Sequence, residues 1–160
     1  MRRMQKDVNP RDVTTGRRFV IAAALLTIAD AVMKYVAIRS FPNEELAAPV
    51  FGLALHKNPG IAFDIPIPMW IIAPLTVVLM FALLRLATKT HESAPRVSAS
   101  AVLMFLGASN NFADRVINGF TTDYLILFQT SAINISDVLI ILGAIGLLSY
   151  TQSNPSARTH

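Results

Sequence analysis

The residues able to do chemistry are few: Asp30, Lys34, Asp114, Arg115, Asp123 and Asp137, each inside or beside an apolar run. Ionisable groups in such places are costly and mark functional sites. Asp137 stands at the mouth of INISDVLIILGAIGLLSY (Ile133 to Tyr150), where an anchor alone would do better with leucine. Two carboxylates that share a site cannot both ionise easily, so one pKa rises and the pair holds a single proton. Such a pair can activate a water while it protonates or polarises the carbonyl under attack. That is peptide hydrolysis without metal or thiol. Carboxylates also bind hard cations and relay protons, so composition does not force hydrolysis. Cysteine is absent, which excludes disulfides, thiolate metal sites and cysteine nucleophiles. The histidines are His56, His91 and His160; no HExxH is present and no serine sits in a Gly-x-Ser-x-Gly elbow.

Each candidate also has a plain structural reading. Asp30 and Lys34 are four apart, so on a helix they share a face and neutralise one another, or face a polar cavity near the outer surface. Asn58 precedes Pro59-Gly60, a turn signal, and its amide can grip a peptide backbone or simply close an Asx turn. Asn111, Asp114 and Arg115 lie within about one helical turn, where Arg115 is expected to neutralise Asp114. Asn118-Gly119 is a second turn, and Asp123 follows it. Asn134 to Asp137 has N-cap spacing. Capping explains an acid in a first turn, which the helix dipole favours. It does not explain why three acids converge on one surface. Spacing alone does not choose between Asp114 and Asp123 as partner for Asp137.

The elements that must position these groups are apolar. The chain is 53% hydrophobic and 15% charged, against roughly 25% charged in a soluble domain. Four stretches approach the ~20 residues of a membrane span: Phe19 to Ile38, Met69 to Ala87, Val97 to about Ala113, and about Ile135 to Tyr150. The last two are marginal as free spans and are expected to pack against the others through Ala99, Ser100, Ala101, Gly107, Ala108 and Ser109. Arg2, Arg3, Lys6, Arg11, Arg17 and Arg18 precede the first stretch; Arg85, Lys89 and Arg96 separate the second from the third; Arg158 follows the fourth. Only Asp7, Asp12 and Glu92 oppose them there. The positive-inside rule then puts both termini and the Arg85–Arg96 loop in the cytoplasm, with residues 40–68 and 114–136 at the outer side. The fold expected is an all-α membrane protein with four transmembrane helices and a small extended element, Val50–His56, in the outer loop. One integral membrane domain spans 1–160, with polar tails at 1–16 and 151–160. The basic residues flank apolar runs rather than interleaving with aromatics, so no nucleic-acid partner is expected. A cleavable signal peptide over Phe19–Ala29 is the weaker reading, because the apolar run continues past Asp30 to Ile38 without a small-x-small site.

Four motifs in order now stand out. The first segment carries DAVMK, with Asp30 and Lys34; the outer loop carries NPGIAF; the third segment ends in NNFADRVINGFTTDY; the fourth opens with INISD. In this order, from about Arg18 to Tyr150, the chain resembles the lipoprotein signal peptidase (signal peptidase II) family of bacterial membrane aspartyl proteases. The resemblance implies a four-helix fold with both termini inside. It implies Asp123 and Asp137 as the catalytic dyad, with Asp114 in support. It also implies that Asn58, Gly60, Asn111, Arg115 and Asn134, with Asp30 and Lys34, line the substrate site or hold its loops. The reaction implied is removal of signal peptides from prolipoproteins, cutting before a lipid-modified cysteine at the extracytoplasmic face of the inner membrane. No cofactor or metal is needed. Membrane lipids and prolipoproteins are the partners implied, and a monomer is expected.

The chain departs from the family pattern at several places. Asn110 replaces a Gly, Ile133 an aromatic, Ser136 an Ala, and Thr121-Thr122 a Val pair; the connection from Asp123 to Asp137 is short. None removes a carboxylate. They bear on substrate preference and activity, and motivate an alternative: a diverged prolipoprotein binder that no longer cuts. A small proton-coupled transporter ranks lower, since no acid lies deep toward the cytoplasm in the second or third segment.

Overall fold

The computed structural model describes residues 10–42, 51–61, 65–128 and 131–153, with backbone alone for 10–17 and 153. Four helices and a small sheet follow in the order α1 (Pro10–Ser40), β1 (Phe51–Asn58), α2 (Met69–Thr90), α3 (Pro95–Asn118), β2 (Thr121–Leu127), β3 (Ser131–Ile133) and α4 (Ile135–Ser153). Helix α1 begins at Pro10, inside the stretch expected as a polar tail, and α4 runs three residues past Tyr150. Proline suits a first helical position because its missing N–H would have no partner there anyway.

Among the described residues three segments are long and apolar enough to cross a membrane: Arg18–Ser40, Met69–Thr90 and Ile135–Gln152. Their large side chains point outward, among them Leu25, Ile28, Leu75, Phe81, Ile141 and Leu148. Helix α3 differs because it packs against α1, α2 and α4. Enclosed by protein, it has little lipid to satisfy and buries polar groups: Ser98, Ser100, Asn111 and Asp114. Ser98 Oγ donates to the Ala87 carbonyl at 2.9 Å, tying α3 to the end of α2. Gly119, in the left-handed conformation with φ 81°, ends α3, its N–H donating to the Arg115 carbonyl.

Small residues set the α3–α4 distance, as the sequence anticipates. A Cβ on Gly107 would meet the Ser136 carbonyl oxygen at 2.5 Å; one on Gly143 would meet Met104 Cγ at 2.5 Å and the Ser100 carbonyl oxygen at 2.6 Å. Backbone oxygen cannot retreat without moving its helix. Gly143→Ala is therefore expected to destabilise the fold by about 1–3 kcal/mol, read as a lower unfolding midpoint in detergent.

The sheet is antiparallel in the order β1-β2-β3. Its first strand lies where extended structure was expected, with Val50 outside the described residues. The second and third strands were not foreseen. They form a hairpin, pairing Leu125 with Ile133 and Leu127 with Ser131, which is how a short connection returns the chain to α4. Between Leu53 and His56 the β1–β2 register shifts. The extra residue reverses which side chains share a face. It buries both Ala54 and Leu55 and brings His56 opposite Asp123 and Asn58 opposite Thr121. Tyr124, Leu55 and Ala37 form the apolar cluster that seats the sheet on α1.

Candidate active site

Asp123 lies near the start of β2 and Asp137 in the first turn of α4. One residue joins them. Asn134 Nδ2 donates to Asp123 Oδ1 at 2.5 Å. Its Oδ1 accepts the Asp137 backbone N–H at 3.0 Å, and its own N–H donates to Asp137 Oδ2 at 3.1 Å. The last two bonds are a reciprocal capping box, so the capping reading holds. The first extends the cap to a second carboxylate, which capping alone does not require.

The remaining carboxylate oxygens are held by amides as well. Asn58 Nδ2 donates to Asp123 Oδ2 at 3.2 Å, and Asn111 Nδ2 to Asp137 Oδ1 at 2.8 Å. Neutral donors fix orientation without compensating a negative charge. Asp123 is 1% exposed. Burial pushes its carboxyl up to about 7, and the charge of Asp137 pushes the same way, against the Asn58 and Asn134 hydrogen bonds and the charge of Lys34. Asp137 is only half-buried, which leaves the pair an open edge.

Behind the pair, Lys34 Nζ donates to Asn111 Oδ1 at 2.6 Å and lies 3.3 Å from Asp114 Oδ2 and 3.6 Å from Asp30 Oδ2. Asp114 accepts Asn118 Nδ2 at 2.7 Å, the Thr122 N–H at 2.6 Å and the Thr122 hydroxyl at 3.1 Å. The direct ion pair of Asp114 is thus with Lys34, and Arg115 acts on Asp114 only through its charge. Adjacent residues on a helix point in different directions. Arg115 Nη2 instead donates to the Gly60 carbonyl at 2.9 Å, within electrostatic reach of Asp123 and Asp137. Arg115 Nε is buried without a hydrogen-bond partner among the described residues.

The outer-loop turn is the expected Asx turn: Asn58 Oδ1 accepts the Gly60 N–H at 2.9 Å while Asn58 Nδ2 also reaches the Ile61 carbonyl at 3.2 Å. A Cβ on Gly60 would collide with the backbone of Ile65, so only glycine fits. Every residue singled out in the sequence therefore falls in one connected set of polar contacts. Four members were not singled out. Tyr124 OH donates to Asp30 Oδ1 at 2.6 Å, and the Thr122, Asn110 and Ser136 side chains serve Asp114 or Asp30. Asn110, Ser136 and Thr122 stood out only as departures from a motif; a polar residue inside an apolar segment was the available signal.

Among the described residues no group of three or more His, Cys, Asp or Glu is placed to hold a metal. The arrangement brings together two carboxyls that are oriented by amides, tied through Asn134 and coupled by charge, next to an arginine.

The chain is similar to known proteins over most of its length. The family model described as signal peptidase (SPase) II matches residues 22–152. A lipoprotein signal peptidase of Moorella thermoacetica (strain ATCC 39073 / JCM 9320) is 31% identical over 133 residues, covering 79% of this chain and 87% of the relative. One from Brevibacillus brevis (strain 47 / JCM 6285 / NBRC 100599) is 29% identical over 136 residues, covering 81% and 91%. A solved structure described as a bacterial membrane enzyme superposes with a TM-score of 0.75 at 24% identity, over 88% of this chain and 92% of that one. A second of the same description gives 0.69 at 25% identity, over 82% and 90%.

Proposed function

We propose that this chain, which belongs to the signal peptidase II family, cuts signal peptides from lipid-modified prolipoproteins with Asp123, Asp137 and a water. The observation that carries this reading is Asn134, bonded to both carboxyl groups. The family supplies the reaction; the two aspartates, held by neutral amides and near a protonated arginine, supply a means. One carboxylate takes a proton from water as the other protonates the scissile carbonyl oxygen. The tetrahedral intermediate then collapses as a proton passes to the leaving amine. The shared proton belongs to the pair, so acid and base are not separately assigned. Arg115 and Asn58 orient the substrate backbone. Asn111, Asp114 and Asn134 hold the carboxyls and loops, and Asp30 and Lys34 anchor that frame. Substrate acyl chains lie along apolar helix faces. Cleavage falls before the lipidated cysteine.

In the same reading α3 is a fourth span, both termini are cytoplasmic and the site faces outward across the inner membrane. The basic residues flanking the spans support that orientation. The chain acts as one integral membrane unit and as a monomer, without cofactor.

The test is purified protein with a lipidated prolipoprotein, wild type against Asp137→Asn, read as a gel shift. Wild type cuts and the variant does not; a chelator leaves wild type active. A wild type that binds without cutting makes the chain a diverged binder, and loss on chelation makes it a metalloenzyme. Two quantitative results follow. With one proton required on the pair and Asp123 near 7, kcat/KM falls as pH rises above about 7, measured as cleavage rate from pH 5 to 9. Gly60→Ala displaces the carbonyl that Arg115 holds, and kcat is expected to fall about tenfold in the same assay.

A further inference from the structure

Asn110 and Ser136 are polar residues on two helices, and the chemistry above uses neither. They meet. Asn110 Nδ2 donates to Ser136 Oγ at 3.0 Å and to Asp30 Oδ2 at 2.7 Å, and Ser136 Oγ donates to the same Asp30 oxygen at 2.6 Å. Ser136 and Asp30 are both fully buried. The chain neighbours of the pair, Asn111 and Asp137, are themselves bonded at 2.8 Å, so two consecutive rungs join α3 to α4.

The occupancy of Asp30 explains what the pair does. Its Oδ1 takes the Tyr124 hydroxyl at 2.6 Å and the Ile135 N–H at 3.0 Å; its Oδ2 takes Asn110 and Ser136. Two carboxylate oxygens offer about four lone-pair sites, and four donors fill them. Lys34, the helical partner of Asp30, is left outside at 3.6 Å and donates instead to Asn111 Oδ1 at 2.6 Å. The other amide group of Asn111 grips Asp137. We propose that Asn110 and Ser136 are a coupled positioning pair: by saturating Asp30 they keep Lys34 on Asn111, and so keep Asp137 aimed at Asp123. Either donor alone still occupies part of Asp30 Oδ2. With both gone, the ammonium of Lys34 is drawn to Asp30 and Asn111 loses its anchor.

The proposal rests on the dyad reading. Its test compares Asn110→Ala, Ser136→Ala and the double variant, with kcat and KM measured on a lipidated prolipoprotein per folded enzyme. Each single is expected to lower kcat about threefold and the double about a hundredfold, well beyond the product of the singles, with KM within about twofold. The alkaline limb of kcat/KM also moves to higher pH in the double, because Lys34 leaves the pair while Arg115 and Asp114 stay. A purely structural pair would lower the folded fraction and leave kcat and the limb unchanged, which overturns the proposal. So does a double equal to the product of the singles. If the double does not fold, Ser136→Ala decides, since it vacates half of Asp30 Oδ2: a small upward move of the limb, with kcat lowered about threefold per folded enzyme, supports the pair, and an unchanged kcat with an unmoved limb overturns it. Asp137→Asn that still cuts removes the dyad and this pair together; Asp137→Asn inactive with additive alanine variants removes the pair alone.

Discussion

Asp123→Asn is expected to lower kcat at least about a thousandfold while the protein stays folded. The amide keeps the shape of the carboxyl but can neither share a proton with Asp137 nor accept one from water. It also has one acceptor where Asn58 and Asn134 both present donors, so one of those bonds is lost. The same variant has a pH signature in stability. In the folded protein Asp123 holds its proton up to about 7, against an ordinary value of 3.8. Between those values the native state keeps a proton that the unfolded chain has released, so wild-type stability falls as pH rises from about 4 to about 7 and levels above. The full effect is at most about 4 kcal/mol. Asparagine does not titrate, so thermal unfolding should show the variant gaining on wild type across that window, whatever fixed offset the lost bond imposes. A gap between the two that stays constant with pH would mean the carboxyl is not buried as described.

Asp30→Ala is expected to have the largest effect on folding, about 3–5 kcal/mol. Asp30 is 0% exposed and gathers groups from four elements: Lys34 on its own helix, Asn110 on α3, Tyr124 on β2, and the first turn of α4 through Ile135 N–H and Ser136 Oγ. It caps α4 from outside, satisfying an N–H that a helix start leaves without a partner. Removing it takes an acceptor from four donors, two of them on the buried Tyr124 and Ser136, and leaves Lys34 with one carboxylate, Asp114. Asp30→Asn keeps the volume and some acceptors, and should lose less. The measurement is the unfolding midpoint in mild detergent, with the amount of folded protein recovered from membranes. A midpoint unchanged in Asp30→Ala would show that the charge and its contacts are dispensable.

Much of this was legible in the sequence, for identifiable reasons. Lipid demands apolar side chains on every outward position, so the Arg18–Ser40, Met69–Thr90 and Ile135–Gln152 segments announce themselves by composition. Helix α3 is weaker by that measure because its neighbours are protein, and its small residues pointed to close packing instead. The strand Thr121–Leu127 was not legible. It is buried on both faces near the site, so it lacks the alternation that marks a half-exposed strand. The bulge between Leu53 and His56, which sets His56 opposite Asp123 and Asn58 opposite Thr121, has no sequence signal at all. Choosing Asp123 over Asp114 required family resemblance. Spacing treats them alike, and only tertiary contact gives Lys34, Asn118 and Thr122 to Asp114 and amides alone to Asp123. Departures read as weaknesses prove to be matched: Asn110 and Ser136 touch each other, and the Thr122 hydroxyl serves Asp114.

The most direct measurement is a carbon-13 titration of the Asp123 carboxyl in micelles, in wild type and in Asp137→Asn. Two carboxyls around one proton should give wild-type Asp123 a step near pH 7, and that step should fall to lower pH once the Asp137 charge is gone. The same step in both proteins, or one near the ordinary 3.8 in wild type, would mean the two aspartates do not share a proton.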